Sequence, residues 1–217
     1  MKGIAFDLEG TIIDVEAAHH QGHLATAREL GIDLTLAQAI AEIPAFVGGP
    51  DRDIAVELQR RAGETPPLAW ILERMHTHYL ELVATMPIAP RDDFLAFLEH
   101  ARAHGLRTAI GTVTPRAEAR RLLSAAGMVD CFDILVYGED VAHPKPAPDV
   151  YQETATRMGL TPADQLVFED SARGVVAARA AGSRAIAVPT VHTPAYIDRL
   201  RQAGATAVFR HWHEVVL

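Results

Sequence analysis

Cysteine, lysine and long apolar runs are scarce in this chain, and each shortage excludes something. One cysteine, Cys131, stands among 217 residues, so no intrachain disulfide can form and a disulfide-stapled secreted scaffold is ruled out. No apolar stretch reaches the roughly 20 residues that a membrane-spanning helix needs. Positive charge is also short: 20 Lys and Arg face 28 Asp and Glu, for a net charge of −8. Duplex binders carry the opposite bias, so nucleic acid is not the expected partner. Met1 and Lys2 lead straight into a strand-like stretch rather than a signal peptide, which predicts a soluble, cytoplasmic protein with no membrane partner. Lysine occurs only at Lys2 and at Lys145, the latter held between Pro144 and Pro146. A chain that uses arginine almost everywhere else draws attention to that position, although codon bias alone accounts for such a preference. Hydrophobic residues at 49% against 22% charged are enough to build a sizeable core.

Residues 3–8 (GIAFDL) form a short apolar run that ends in an acid and is followed by Gly10, the pattern of a buried strand entering a tight turn. From about 15 to 86 the periodicity is helical throughout. Helices are predicted over 16–30, 36–46 (disturbed at its end by Pro44), 52–62 and 67–85, with Gly31 and Gly63 as stops. Pro87 and Pro90 mark a linker. Beyond it, helices over 92–104, 115–126, 148–158, 174–181 and near 196–202 alternate with strands over 106–112, 134–137, 165–169, 184–188 and 205–209. Strands separated by helices of that length predict parallel βαβ units with helices on both sheet faces. The expected architecture is α/β, a Rossmann-like parallel sheet formed by residues 1–14 and 87–217, with the helical block 15–86 inserted after the first strand.

In open parallel sheets ligands sit beyond the carboxyl ends of the strands, which singles out Asp7, Thr112, Glu169 and Asp170. Asp7 and Glu9 flank Leu8, and Glu169 and Asp170 are adjacent. Four converging carboxylates repel unless a cation neutralises them, and hard oxygen ligands suit Mg²⁺. A hydroxyl at Thr112 and an ammonium at Lys145 add a grip for phosphate. A carboxylate nucleophile, a hard metal and a phosphate clamp together describe phosphoryl transfer through an acyl-phosphate. Taken singly, each residue is as well explained as a cap or turn former. Their joint occurrence in this order carries the argument.

FDLEGT at 6–11, Thr112 after TAIG, HPKPAPDVY at 143–151 and VFEDSARGVVAARAAG at 167–182 resemble the four signature motifs of the haloacid-dehalogenase-like superfamily. Within it they are most similar to the branch of β-phosphoglucomutase and small sugar-phosphate phosphatases. The resemblance covers about residues 3–188. It implies a Rossmann-like core with a helical cap at 15–86 and Mg²⁺-dependent phosphoester chemistry on a small phosphorylated metabolite, a sugar phosphate, through an aspartyl-phosphate. By position, Asp7 matches the nucleophile and a metal ligand. Glu9 takes the acid/base place, with its backbone carbonyl on the metal. Thr112 and Lys145 match the phosphate-binding pair, and Glu169 and Asp170 the acidic pair that holds the metal. In the cap, His19 falls on a histidine often present in the branch, and Arg52 beside Gly48 and Gly49 is the best substrate contact.

Two positions depart from that pattern. Glu9 stands where aspartate is the rule, which makes the side chain one methylene longer, and Val113 stands where a polar residue is common. A phosphohexomutase is the alternative reading, and the absence of lysine from 15–86 and the glutamate at 9 count against it. A catalytically impaired phosphate-binding homologue is another, because of Glu9. Metal-independent dehalogenation is disfavoured by the acidic pair. Other features receive plainer readings. His19, His20 and His23 cluster on a helix, and His20 with His23 has metal-ligand spacing, but no carboxylate completes a set and an exposed histidine face is expected. His76 and His78 point to different sides of a helix. Arg116, Arg120 and Arg121 read as a solvated face, and Trp70 and Trp212 as packing residues.

Overall fold

A computed structural model describes residues 1–43 and 45–216. It divides into two compact units, one of Met1–Asp14 with Ile88–Leu217 and the other Val15–Pro87. The first holds a sheet of β1 (Gly3–Phe6), β2 (Arg107–Gly111), β3 (Ile134–Val136), β4 (Gln165–Glu169), β5 (Arg184–Ala187) and β6 (Ala207–Val208). All pairings are parallel and the order is β3-β2-β1-β4-β5-β6. The second holds helices α1 (Glu16–Glu29), α2 (Leu36–Glu42), α3 (Asp51–Arg61) and α4 (Leu68–Thr85). In the first unit follow α5 (Phe94–Ala103), α6 (Arg116–Ala125), α7 (Asp149–Arg157), α8 (Ala172–Ala181) and α9 (Pro194–Gln202). No helix among the described residues is long and apolar enough to cross a membrane.

The central strands are apolar without alternation because helices cover both of their faces: β1 and β4 are buried at every residue. Beneath β1, Phe6 is the hub of an aromatic cluster. It stacks on Phe168 at 5.6 Å and meets the edges of Phe94 at 5.3 Å and Trp212 at 5.9 Å. Such pairs add about 0.5–1.5 kcal/mol each beyond the area they bury. Trp212 is therefore a core residue as expected, whereas Trp70 is partly exposed. In the second unit α1 and α3 pack against α4, and Leu24, Ala27, Ile54, Leu58, Ile71 and Met75 form the core between them. Gly22 permits the close approach, since a Cβ there would lie 3.2 Å from Tyr79 N and 3.3 Å from Met75 O.

Several element ends differ from expectation, each for a local reason. The helix expected over 36–46 ends at Glu42, because Ile43 adopts an extended conformation; the disturbance assigned to Pro44 lies outside the described residues. The helix expected from residue 174 begins two residues earlier, because the Ser171 hydroxyl accepts the Gly174 N–H at 3.1 Å and caps it. The strand expected over 205–209 contracts to two residues at the sheet edge. Arg116 is not simply solvated, since it pairs with Asp140 and lies 4.3 Å over the Tyr137 ring.

Candidate active site

The sheet register sets the site. Phe6 pairs with both Ile110 and Phe168, so the residues after β1, β2 and β4 leave the sheet at one level, where the strand order reverses. Asp7 is fixed by its own N–H, which donates to Phe168 O at 2.9 Å, and Thr112 by its N–H to Val136 O at 3.0 Å. Asp7, Thr112, Lys145, Glu169 and Asp170 are all buried there.

Lys145 sits among the acids. Its Nζ donates to Asp7 Oδ1, to Glu169 Oε1 at 2.6 Å and to Gly111 O at 3.2 Å. Burial pushes the Asp7 carboxyl up to about 7; Lys145 opposes that rise, and neighbouring Glu169 and Glu9 add to it. Burial works against the Lys145 ammonium, but Asp7 and Glu169 outweigh it and hold the lysine above its ordinary range. Burial also works against the Glu169 charge, and Lys145 outweighs it, so that carboxyl is held below its usual range. Tyr151, raised by burial and by Glu169, keeps its proton and donates it to Glu169 Oε1 at 2.7 Å.

Glu169 is saturated. Its Oε2 accepts the Asp170 N–H, the Ser171 N–H (both 3.1 Å) and the Ser171 hydroxyl at 2.9 Å, while Oε1 holds Lys145 and Tyr151. Two glycines accommodate the acids. A Cβ on Gly174 would lie 1.7 Å from Glu169 Oε1, and one on Gly10 would lie 2.3 Å from Asp170 Oδ2. Gly10 also has φ +76°, the left-handed region that glycine enters freely.

The donor set fits a hard cation. Asp7, Glu169 and Asp170 each offer a carboxylate oxygen, all within 4.8 Å of one another. The Thr11 hydroxyl lies 3.4 Å from both Asp7 Oδ2, the oxygen that Lys145 does not hold, and Asp170 Oδ1. Both oxygens of Glu169 already carry hydrogen bonds, and one of them holds Lys145.

Glu9 does not join that cluster. Its Oε1 accepts a short hydrogen bond from the Thr114 hydroxyl. Thr114 in turn accepts one from Thr112 Oγ1 at 2.9 Å and donates its N–H back to that oxygen at 3.1 Å. The expected Thr112 is in place, and Thr114, which sequence reasoning passed over, links it to Glu9. Tyr151, Thr11, Ser171 and Gly174 were likewise missed, although all lie within the four recognised segments. Arg91 carried no signal. Its guanidinium donates to the carbonyls of Gly10 at 2.8 Å, Thr11 at 3.2 Å and Val188, and to those of Pro189 and Arg210 at 3.3 Å. It ties the loop after Asp7 to the end of β5.

In the second unit, His19 stacks on Tyr79 at 4.0 Å, and Arg52 is exposed on the first turn of α3. The expectation of an exposed histidine face is overturned. His20 and His23 are buried, packed against Phe46 at 4.9 and 5.6 Å, and His23 Nε2 lies 3.1 Å from Asp51 Oδ1. A carboxylate does complete a set, and it does so with His19 and His23 rather than His20 and His23. Arg74 is taken up by Glu29, at 2.8 and 2.5 Å.

The sequence profile of the haloacid dehalogenase-like hydrolases matches residues 1–182. The chain belongs to that family. This hydrolase is 34% identical to protein CbbY of Rhodobacter capsulatus over 89% of its own length and 87% of the relative's. It is 33% identical to the fructose-1-phosphate phosphatase YqaB of Escherichia coli K12, over 86% and 95% of the two chains. Among solved structures, CbbY of Rhodobacter sphaeroides in complex with phosphate superimposes with a TM-score of 0.73 at 25% identity, covering 99% of this chain and 96% of that one. These relatives set the hydrolase on the branch of β-phosphoglucomutase and the sugar-phosphate phosphatases.

Proposed function

We propose that this hydrolase is a cytoplasmic, Mg²⁺-dependent phosphatase that cleaves a small phosphorylated metabolite, a sugar phosphate, through an aspartyl-phosphate on Asp7. The observation that carries the reading is the pairing of Asp7 with the buried Lys145 beside Glu169 and Asp170. A buried carboxyl with a pKa of about 7 is only partly ionised at neutral pH, so positive charge beside it is what makes it a nucleophile. When bound, Mg²⁺ would supply that charge and offset the phosphoryl oxygens, held by Asp7, Asp170 and the Glu9 carbonyl with Glu169 behind them.

Asp7 attacks phosphorus through a carboxylate oxygen while the ester P–O bond breaks. The departing alkoxide takes its proton from the Glu9 carboxyl. Glu9, now ionised, accepts a proton from the water that attacks phosphorus in the second step; the bond to Asp7 breaks and inorganic phosphate leaves. Lys145 and Thr112 stabilise the phosphoryl group, and Thr114 aims Glu9. The inserted helical block 15–86 serves as the cap, with His19 and Arg52 as its substrate contacts. The similarity to the fructose-1-phosphate phosphatase of Escherichia coli supports the substrate class.

The test is turnover of a panel of sugar phosphates by chelator-treated protein before and after adding Mg²⁺, with mass spectrometry of the quenched enzyme. Mg²⁺-dependent release of phosphate and a phosphorylated peptide containing Asp7 are expected. Full activity without metal, or phosphate on another residue, overturns the reading.

A further inference from the structure

We propose that His19, His23 and Asp51 form a second metal site, for a borderline divalent ion such as Zn²⁺, wholly within the inserted helical unit and sharing no residue with the carboxylate cluster. The two histidines are four residues apart on α1 and so share a face, the spacing by which a helix presents two imidazoles to one ion. Asp51 arrives from a distant part of the chain as the first residue of α3. One donor atom from each of the three lies within 4.8 Å of the others. His23 Nε2 and Asp51 Oδ1 are already 3.1 Å apart, close to the ~3.3 Å edge of a tetrahedron with Zn–ligand bonds of about 2.0–2.2 Å. A small movement of His19 completes three corners and leaves the fourth for water.

The rings are held before any ion arrives. His19 lies flat on Tyr79, and His23 is buried with its edge to Phe46. Asp51 is half exposed and gives an ion its way in. Imidazole donors select Zn²⁺ or Co²⁺ over Mg²⁺, whereas the carboxylates at the strand ends prefer the harder ion, so the two sites sort their metals by ligand chemistry. An ion held by His19 withdraws that residue from the substrate-facing role given to it above.

The experiment is calorimetric titration of tag-free, chelator-stripped protein with ZnCl₂ in saturating Mg²⁺, which keeps the strand-end cluster filled. One Zn²⁺ per chain is expected. His19→Ala and Asp51→Asn, both at positions outside the buried core, should each weaken it by about 100-fold. Asp7→Asn should retain it, as should His100→Ala/His104→Ala, which removes the exposed i,i+4 histidine pair at the C-terminal end of α5. With Co²⁺ in place of Zn²⁺, intense ligand-field bands of a four-coordinate site should appear in the parent and vanish in Asp51→Asn. Absence of Zn²⁺ uptake, uptake unchanged by His19→Ala or Asp51→Asn, or uptake lost with the α5 pair overturns the proposal. Binding, not turnover, is read, so its failure is distinct from failure of the phosphatase reading.

Discussion

Replacing Lys145 with methionine keeps the unbranched apolar stem and deletes the ammonium. Asp7 and Glu169, both buried, then lose the cation they share. Removing one partner of a buried ion pair costs about 3–5 kcal/mol, because a charge is left without compensation. Asp7 can limit that cost by taking up a proton, which makes the loss depend on pH. Its folded pKa of about 7 lies above the ordinary 3.8, so in metal-free protein the native state binds more protons than the unfolded chain between those values. Stability therefore falls as pH rises through that window and levels off above it. Without Lys145 the folded pKa climbs further and the decline continues to higher pH. Glu169 acts in the opposite sense: held below its ordinary 4.5, it contributes stability above that pH, and this is lost in acid. Urea unfolding of chelator-treated parent and Lys145→Met at about pH 5.5 and about pH 8, both above the Glu169 window, reads the Asp7 effect. The variant should lose about 3–5 kcal/mol at the higher pH and distinctly less at the lower. Lys2→Met, whose pair with Asp164 is exposed, should change nothing measurable. A loss in Lys145→Met no larger than in Lys2→Met, or one with the parent's pH dependence, would refute the argument.

Glu9→Ala should cut turnover of sugar phosphates by about 10²–10⁴-fold while sparing phosphoryl transfer from a nitrophenyl ester, measured as the burst of nitrophenolate. Glu9→Asp, one methylene short of Thr114, should fall below the parent on sugar phosphates, and Thr114→Val should lower the parent towards it. Gly174→Ala sets a methyl 1.7 Å from Glu169 Oε1, so thermal unfolding should show a loss of about 1–3 kcal/mol, together with weaker Mg²⁺ binding by titration. Arg91→Met frees five carbonyl oxygens around the Asp7 loop and should cost about 2–3 kcal/mol in urea unfolding.

What the sequence by itself determined was local. A run such as GIAFDL, short, apolar and followed by Gly10, reads as a buried strand that ends in an acid, and helices of ten or more residues between such runs point to a parallel sheet. Asp7, Thr112, Glu169 and Asp170 therefore had to emerge together at its carboxyl edge, and Lys145 stood out by composition. The tertiary structure alone decided how these groups are partnered. Glu9 and Thr114 are 105 residues apart and His23 and Asp51 are 28 apart; neither pair leaves a periodic or local trace. Strand register and helix packing bring each together. The same holds for Arg91, whose acceptors are backbone carbonyls that every residue possesses, so no side-chain pattern marks them. Glu169 shows the difference within one residue: its place at the end of β4 was legible from apolar spacing, but its bonds to Lys145 and Tyr151 depend on two chain segments converging on a dry site where each unsatisfied polar atom is costly.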